Sequence, residues 1–393
     1  MMKFPIISLL LSLSGLSVCA SDFDKVLDTV VSNNLALKYT DSENEAAIAS
    51  IKAENTLDAP EIGFESLWGA KGIGDKRNFS VSQGFDWPGV YAARRDAIRK
   101  SRTAMQFLSE SAAIETRQEV RNLLIDLIYT RQRIAATEKI CDGLASMMAT
   151  LKKAVEDGNE TRLDYNKAII EKIAAERELK SLRGEYASLL ASLRILNGGK
   201  DVSALAENLG DTYPEVDLLA LRPDVDNLRS KDPAIAAMKA QADAQKSLVK
   251  VEKRALLPGF AVSYNHEWEM GDRFNGFSVS VSLPFITGRK KVRAAELQYQ
   301  AVEMQQELEL IKLSANMSGD YEKALRYREL LDQYEGVMND DSNFELLRKA
   351  FDGGQINFLT YMQELNFFLG ARRDFLETQY NYYQTVARLQ RYN

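Results

Sequence analysis

The chain repeats itself at long range, which limits it to two copies of one large folding unit. Asn34-Leu35-Ala36-Leu37 returns as Asp232-Pro233-Ala234-Ile235, Ala59-Pro60 as Leu257-Pro258, and Phe79-Ser80-Val81-Ser82 as Phe277-Ser278-Val279-Ser280, each 198 positions later. Further along the offset slips to 196, and Gly158, Leu163 and Tyr165 are matched by Gly354, Leu359 and Tyr361. A period this long excludes a short-repeat solenoid. Features present in both copies therefore carry more weight than features present in one.

Within each copy the hydrophobic period changes. Apolar and alanine positions recur at helical spacing from about Phe23 to Leu57 and from about Pro233 to Leu256, and each helix is expected to stop before a proline, Pro60 or Pro258. The period then becomes two. Ile62, Phe64 and Trp68 alternate with Glu61, Gly63 and Glu65, and Phe79, Val81, Phe85 and Trp87 with Ser80, Ser82, Gly84 and Asp86. The second copy repeats the scheme with Phe260, Val262, Tyr264 and Trp268, then Phe277, Val279, Val281 and Leu283. Strands are expected at about 61–68, 78–87, 259–268 and 276–284, with one apolar face and one small, polar face.

An ordinary sheet resting on a soluble core has the same alternation. Three features favour membrane strands instead: a length of roughly 8 to 10 residues, close to a tilted span; the small size of the polar face; and tryptophans at or near strand ends, where an interfacial girdle sits. The expected lipid-facing and girdle residues are Phe64, Trp68, Phe79, Val81, Trp87, Val262, Tyr264, Trp268, Phe277, Val279 and Val281. Four strands cannot close a barrel, and an open edge in lipid leaves backbone groups unsatisfied at several kcal/mol each. The chain is therefore expected to oligomerise, two copies supplying eight strands and three supplying twelve around a water-filled lumen.

A helical stretch follows each strand pair, from about Val90 to Glu156 and from about Lys290 to Phe351. Thin apolar seams such as Val120, Leu123, Leu127 and Ile134, among Ala, Glu, Arg and Gln, suit coiled-coil packing. Breaks at Asp157-Gly158-Asn159 and Gly353-Gly354-Gln355 precede returning helices, Thr161 to Leu196 and Ile356 to Tyr392, so two long helical hairpins are expected. Residues 21–197 form the first structural repeat, 198–232 a Gly- and Pro-bearing linker, and 233–393 the second repeat. Neither repeat could bury its seams alone.

Residues 1–20 are expected to be a secretory signal peptide, with Lys3, an uncharged apolar run from Phe4 to Val18, and a cleavage point after Ala20. Lipidation at Cys19 is the alternative. Cleavage after Ala20 leaves 49 Lys+Arg (50 less Lys3) against 56 Asp+Glu, a mild acidity that argues against a nucleic-acid partner. Cys141 would be the one remaining cysteine, so no intramolecular disulfide is expected. One histidine, His266, and one cysteine cannot make a four-ligand zinc site, and no nucleophile-base-orienter set is visible; no metal, cofactor or catalytic residue is expected.

The order of these features resembles the TolC-like outer-membrane efflux proteins over essentially the whole mature chain. The resemblance rests on Asp232-Pro233-Ala234-Ile235, on Leu257-Pro258 before the third strand, on Ser282-Leu283-Pro284-Phe285 after the fourth, and on Phe351-Asp352-Gly353-Gly354-Gln355-Ile356-Asn357-Phe358-Leu359 at the second hairpin tip. Leu221-Arg222-Pro223-Asp224 looks like the heavy-metal efflux branch. The implied fold is mainly α with a small β part: a homotrimer whose twelve strands share one outer-membrane β-barrel, continued as a periplasmic α-barrel of helical hairpins. The implied role is the exit duct of a tripartite pump, joined through a periplasmic adaptor to an inner-membrane pump and conducting small solutes such as metal ions or drugs without catalysis. Type I protein secretion is an alternative within this class, and a periplasmic adaptor or structural coiled-coil protein an alternative outside it. By the same resemblance, adaptors dock at Gly158, Asn159, Glu160 and Thr161 and at Gly354, Gln355, Ile356 and Asn357. A periplasmic constriction falls on Asp164, with Thr360, Gln363 and Glu364 in the second copy, where acidic residues are the family's habit. Asp164 also stands where a carboxylate favours a helix dipole, and both readings are open.

Overall fold

Residues 22–53, 55–69, 74–224, 230, 232–269, 271–284, 288–338 and 342–392 are described in the computed structural model. The expected signal peptide lies outside them. The first copy runs α1 (Asp22–Asn33), α2 (Leu35–Ala53), β1 (Glu61–Trp68), β2 (Asp75–Phe85), α3 (Pro88–Glu156) and α4 (Arg162–Leu196). A short helix, α5 (Ser203–Asn208), and a 3-10 turn at Leu219–Leu221 occupy the connecting segment. The second copy runs α6 (Pro233–Arg254), β3 (Gly259–Glu269), β4 (Asp272–Ser282), α7 (Gly288–Met338), α8 (Ser342–Asp352) and α9 (Phe358–Leu389). Among the described residues no helix is long and apolar enough to cross a membrane.

The duplication is preserved down to single hydrogen bonds. Asp232 caps α6 by accepting from the Ile235 N–H at 3.0 Å, and its twin Asn34 accepts from Leu37 N–H at 3.1 Å. That second cap corrects the expectation of one helix from Phe23 to Leu57: Asn34 ends α1 and starts α2, because a cap residue supplies a side-chain acceptor in place of continuing the ladder. In the second long stretch α7 is described to Met338 and α8 from Ser342, and the residues between lie outside the described ones.

The four strands form one antiparallel sheet in the order β1-β2-β3-β4, so β1 and β4 are its edges. Residues paired across strands share a face, and the register carries one apolar face through all four: Ile62↔Val81↔Tyr264↔Phe277 and Phe64↔Phe79↔His266↔Asn275. The opposite face holds Ser80, Ser82, Ser263, Ser278, Ser280 and Asn265, with Ser278 joined to Ser263 at 2.6 Å and to Asn265 at 3.1 Å. The sorting is incomplete, since Leu67 and Phe274 stand on the serine face. A Cβ at Gly63 or Gly259 on that face would meet the Ser80 or Ser282 hydroxyl at 2.6 or 2.7 Å, so a side chain there would need the serine to turn aside.

Two strands differ from expectation at both ends. β2 and β4 begin earlier, at Asp75 and Asp272, and end earlier, at Phe85 and Ser282, so Trp87 lies beyond β2. Pro88 opens α3, fixing the backbone for a helix before the strand can reach it. Trp87 nevertheless keeps its ring 5.9 Å from that of Phe260.

The chain divides into two compact units. One comprises residues up to Asn33, Val120–Val216 and Gly336–Tyr383; the other comprises Asn34–Glu119, Asp217–Glu335 and Gln384–Asn393. The sheet belongs to the second, where Val90, Ala93 and Ala97 of α3 pack with Val251 of α6. Beside that seam Ser247 Oγ donates to Asp96 and accepts from Lys100, both at 2.9 Å. Arg388 grips Asp320 with two bonds of 2.9 Å, which hold its guanidinium above its ordinary pKa. The first unit is built on the helical hairpins.

Candidate functional site

Two places bring the residues singled out from the sequence together, the sheet in one unit and the hairpin tips in the other. The sheet's apolar face lies open in the single chain. Trp68 is 82% exposed and Phe277 80%, and Phe64, Val279, Val281, Val262, Val81 and Tyr264 are exposed as well, with Phe79 and Trp268 half-buried. His266 stands on this face, edge-on to Trp268 with ring centroids 4.0 Å apart. On the serine face, toward the hairpin end, Lys76 pairs with Glu267 and Glu269.

The two tips share one construction. Asn159 N–H donates to Ala154 O and Gln355 N–H to Ala350 O, both at 2.9 Å, while Gly158 and Gly354 take φ of +78° and +68°. This is the left-handed turn that closes a helix C-terminus, and glycine enters it without a Cβ penalty. The returning helices start alike. Thr161 Oγ1 accepts from Asp164 N–H at 3.2 Å, and its twin Asn357 Oδ1 accepts from Thr360 N–H at 2.9 Å. Different residue types do the same capping work.

Asp164 completes a local network: its carboxylate accepts from the Thr161 hydroxyl and lies 3.3 Å from Lys167 Nζ. The Thr161 hydroxyl, then Lys167, holds its carboxyl below the ordinary aspartate range. In the second copy Thr360 is half-buried, whereas Gln363 and Glu364 are exposed. The tips are joined by a bond that sequence reasoning did not find. Glu160 Oε1 accepts from the Phe358 N–H at 3.3 Å, so a carboxylate from the first tip sits on the first turn of α9. Beneath it Leu144, Met147, Leu151 and Ala168 pack with Phe358, Tyr361, Met362 and Leu365 in a buried cluster. Burial raises the Tyr361 hydroxyl pKa. Leu163 and Leu359, twins at the 196 offset, point outward with 63% and 53% of their surface exposed.

Farther from the tips, the same unit carries a belt of stacked tyrosines. Tyr129 stacks on Tyr380 at 4.4 Å and Tyr213 on Tyr383 at 4.3 Å, with Tyr380 donating to Asp126 at 2.9 Å. Arg131 ties the connecting segment to α3 through Ala206 O at 2.8 Å and Asp211 at 2.6 Å. Among the described residues no group of His, Cys, Asp and Glu is arranged to hold a metal ion.

Residues 225–392, which span the second repeat, match the family model of outer membrane efflux proteins. The cobalt-zinc-cadmium resistance protein CzcC of Cupriavidus metallidurans is 21% identical over 316 residues, covering 77% of this chain and 73% of its own. A membrane protein from Pseudomonas aeruginosa superposes with a TM-score of 0.76 at 16% identity, over 94% of this chain and 89% of that one. CusC, described for its transmembrane channel formation, gives 0.73 at 13% identity over 96% and 94%. VceC of Vibrio cholerae, an outer membrane protein, gives 0.72 at 13% over 93% and 94%.

Proposed function

Because this chain belongs to the outer membrane efflux protein family and is an efflux channel of the outer membrane, we propose that it is the passive exit duct of a tripartite pump. Three copies would share one twelve-stranded barrel, since this number relieves the free edges of β1 and β4 and leaves a lumen lined by the serine face. The single observation that carries this reading is the register that puts apolar side chains on one face of all four strands, exposed, while every helix leaves the sheet from the other end than the hairpins.

At the tips, Gly158 to Thr161 and Gly354 to Asn357 are the proposed adaptor contacts, with Leu163 and Leu359 as outward apolar knobs beside them. Asp164 and Glu364 are the proposed acidic groups of the periplasmic constriction, with Thr360 and Gln363 as its neutral positions; such a ring favours cations. Similarity to a cobalt-zinc-cadmium resistance protein supports divalent transition-metal cations as the cargo. An inner-membrane pump would supply the energy through the adaptor.

A strain lacking the chain should become sensitive to cobalt, zinc or cadmium, and the wild-type gene should restore resistance. Gly354→Arg should fail to restore it while still assembling: nothing lies within 4 Å of a Cβ built there, so the cost is the positive φ alone, about 1 kcal/mol. Restored resistance with Gly354→Arg would remove the docking assignment. Sensitivity to dyes or antibiotics with unchanged metal tolerance would remove the cargo assignment.

A further inference from the structure

The apolar face of the sheet changes character at its hairpin end. Arg77 of β2 lies opposite Trp268 of β3, and Trp268 lies opposite Arg273 of β4. Paired residues share a face with Cβ atoms about 5 Å apart, so two guanidinium side chains flank one indole across three strands. Both arginines are exposed, and among the described residues neither makes an ion pair. Asp75, two positions before Arg77 on the same face, is bonded to neither. Lys76 provides the internal contrast. It points to the serine face, and there the chain answers it with Glu267 and Glu269. At the helix end of the apolar face the corresponding positions are Ile62, Phe85, Phe260 and Val281, with no cation.

A bare guanidinium on an apolar surface is unfavourable unless an anion meets it, and its planar fork matches a phosphate. Tryptophan between two such forks marks the depth at which hydrocarbon gives way to headgroups. We propose that Arg77, Trp268 and Arg273 form a binding site for the phosphate of an anionic membrane lipid. The proposal rests on the outer-membrane reading above. Since every helix departs from the opposite end of the sheet, the hairpin end, and with it this site, belongs to the outer leaflet. His266, edge-on to Trp268, fixes the indole on that face.

The test uses purified full-length oligomers in nanodiscs of phosphatidylcholine containing a minor fraction of diphosphorylated lipid A, with bound lipid counted by native mass spectrometry. Wild type should retain lipid A over phosphatidylcholine, and the double variant Arg77→Gln/Arg273→Gln should lose roughly 30-fold of that preference, the product of two cations at a charged surface. Arg77→Lys/Arg273→Lys should keep the charge and part of the preference while losing the fork, which separates binding from a folding defect. Excess inorganic phosphate should not displace the lipid; displacement would make this a free-anion site and overturn the proposal. Oligomers that insert normally but show equal lipid preference in wild type and the Gln variant would also overturn it, leaving the channel reading intact. Failure of wild type to insert at all would instead defeat that reading.

Discussion

Asp164 shows how a single carboxylate is spoken for by its own turn of helix. Its side chain accepts from the Thr161 hydroxyl while the Thr161 side chain accepts from its N–H, and Lys167 lies one turn on. These contacts hold the folded-state pKa below the ordinary value of 3.8. A depressed carboxyl contributes stability that is present above its unfolded pKa and lost as pH falls through the lower, folded one. Hydrogen exchange at the first amides of α4 should therefore be unchanged, once corrected for intrinsic rates, from neutral pH to about pH 5, and should loosen below about pH 4. Asp164→Asn should flatten that acid-side dependence and cost up to about 1 kcal/mol locally; a wild-type pH profile in the variant would sink the assignment. Much at this scale was legible: the 196 offset aligns Gly158 with Gly354 and Thr161 with Asn357, and the aligned residues do the same jobs. The Glu160 bond to Phe358 was not legible, because it joins two hairpins that only packing in three dimensions brings together.

Among the elements, the strands and the hairpin ends answer to different forces, and this explains which boundaries the period could find. Alternation located all four strands and their faces, since one-sided greasiness repeats every second residue. It placed the starts of β2 and β4 too late, because Asp75, Lys76, Asp272 and Arg273 pair through their backbones while their side chains carry no apolar period. On the proposed barrel, Trp68→Asp or Val279→Asp would keep the backbone pairing but turn a carboxylate toward lipid, at a cost of up to a few kcal/mol that grows with depth. Each should reduce the yield of oligomers in outer-membrane fractions, and wild-type yield from both would defeat the facing. The tips obey burial instead. Phe358 is 1% exposed in the cluster that also holds Leu151, whereas Leu359 next to it points outward. Phe358→Ala should cost about 3–5 kcal/mol by transfer and cavity terms, and Leu359→Ala within about 0.5 kcal/mol. Thermal or denaturant unfolding of the two variants side by side checks the contrast; equal losses would mean the tip core is misassigned.

For the whole molecule, the sheet is an unfinished object. Its two edges, β1 and β4, are separated within one chain by β2 and β3, three strand spacings of about 4.8 Å each, or roughly 14 Å. A disulfide needs Cα atoms within about 7 Å, so cysteines on β1 and β4 cannot join inside one chain without dismantling the sheet. They can join between chains if the edge of one copy meets the opposite edge of the next, and that head-to-tail contact closes into a ring or runs on into a fibre. Sequence patterning calls for sister copies but leaves eight strands and twelve both open, because closure depends on tilt and shear rather than on which residues are apolar. With Cys141 replaced by Ser to remove the native thiol, Glu65→Cys on β1 can be combined in turn with Phe274→Cys, Gly276→Cys and Ser278→Cys on β4, all on the serine face. Testing three partners covers the unknown shear between copies. Oxidation of outer membranes should convert at least one pair into a ladder of monomer, dimer and trimer that ends at the trimer, and each single cysteine should stop at the dimer or stay monomeric. A ladder ending at dimer would replace twelve strands by eight, and one that climbs without limit would replace the closed duct by an open assembly.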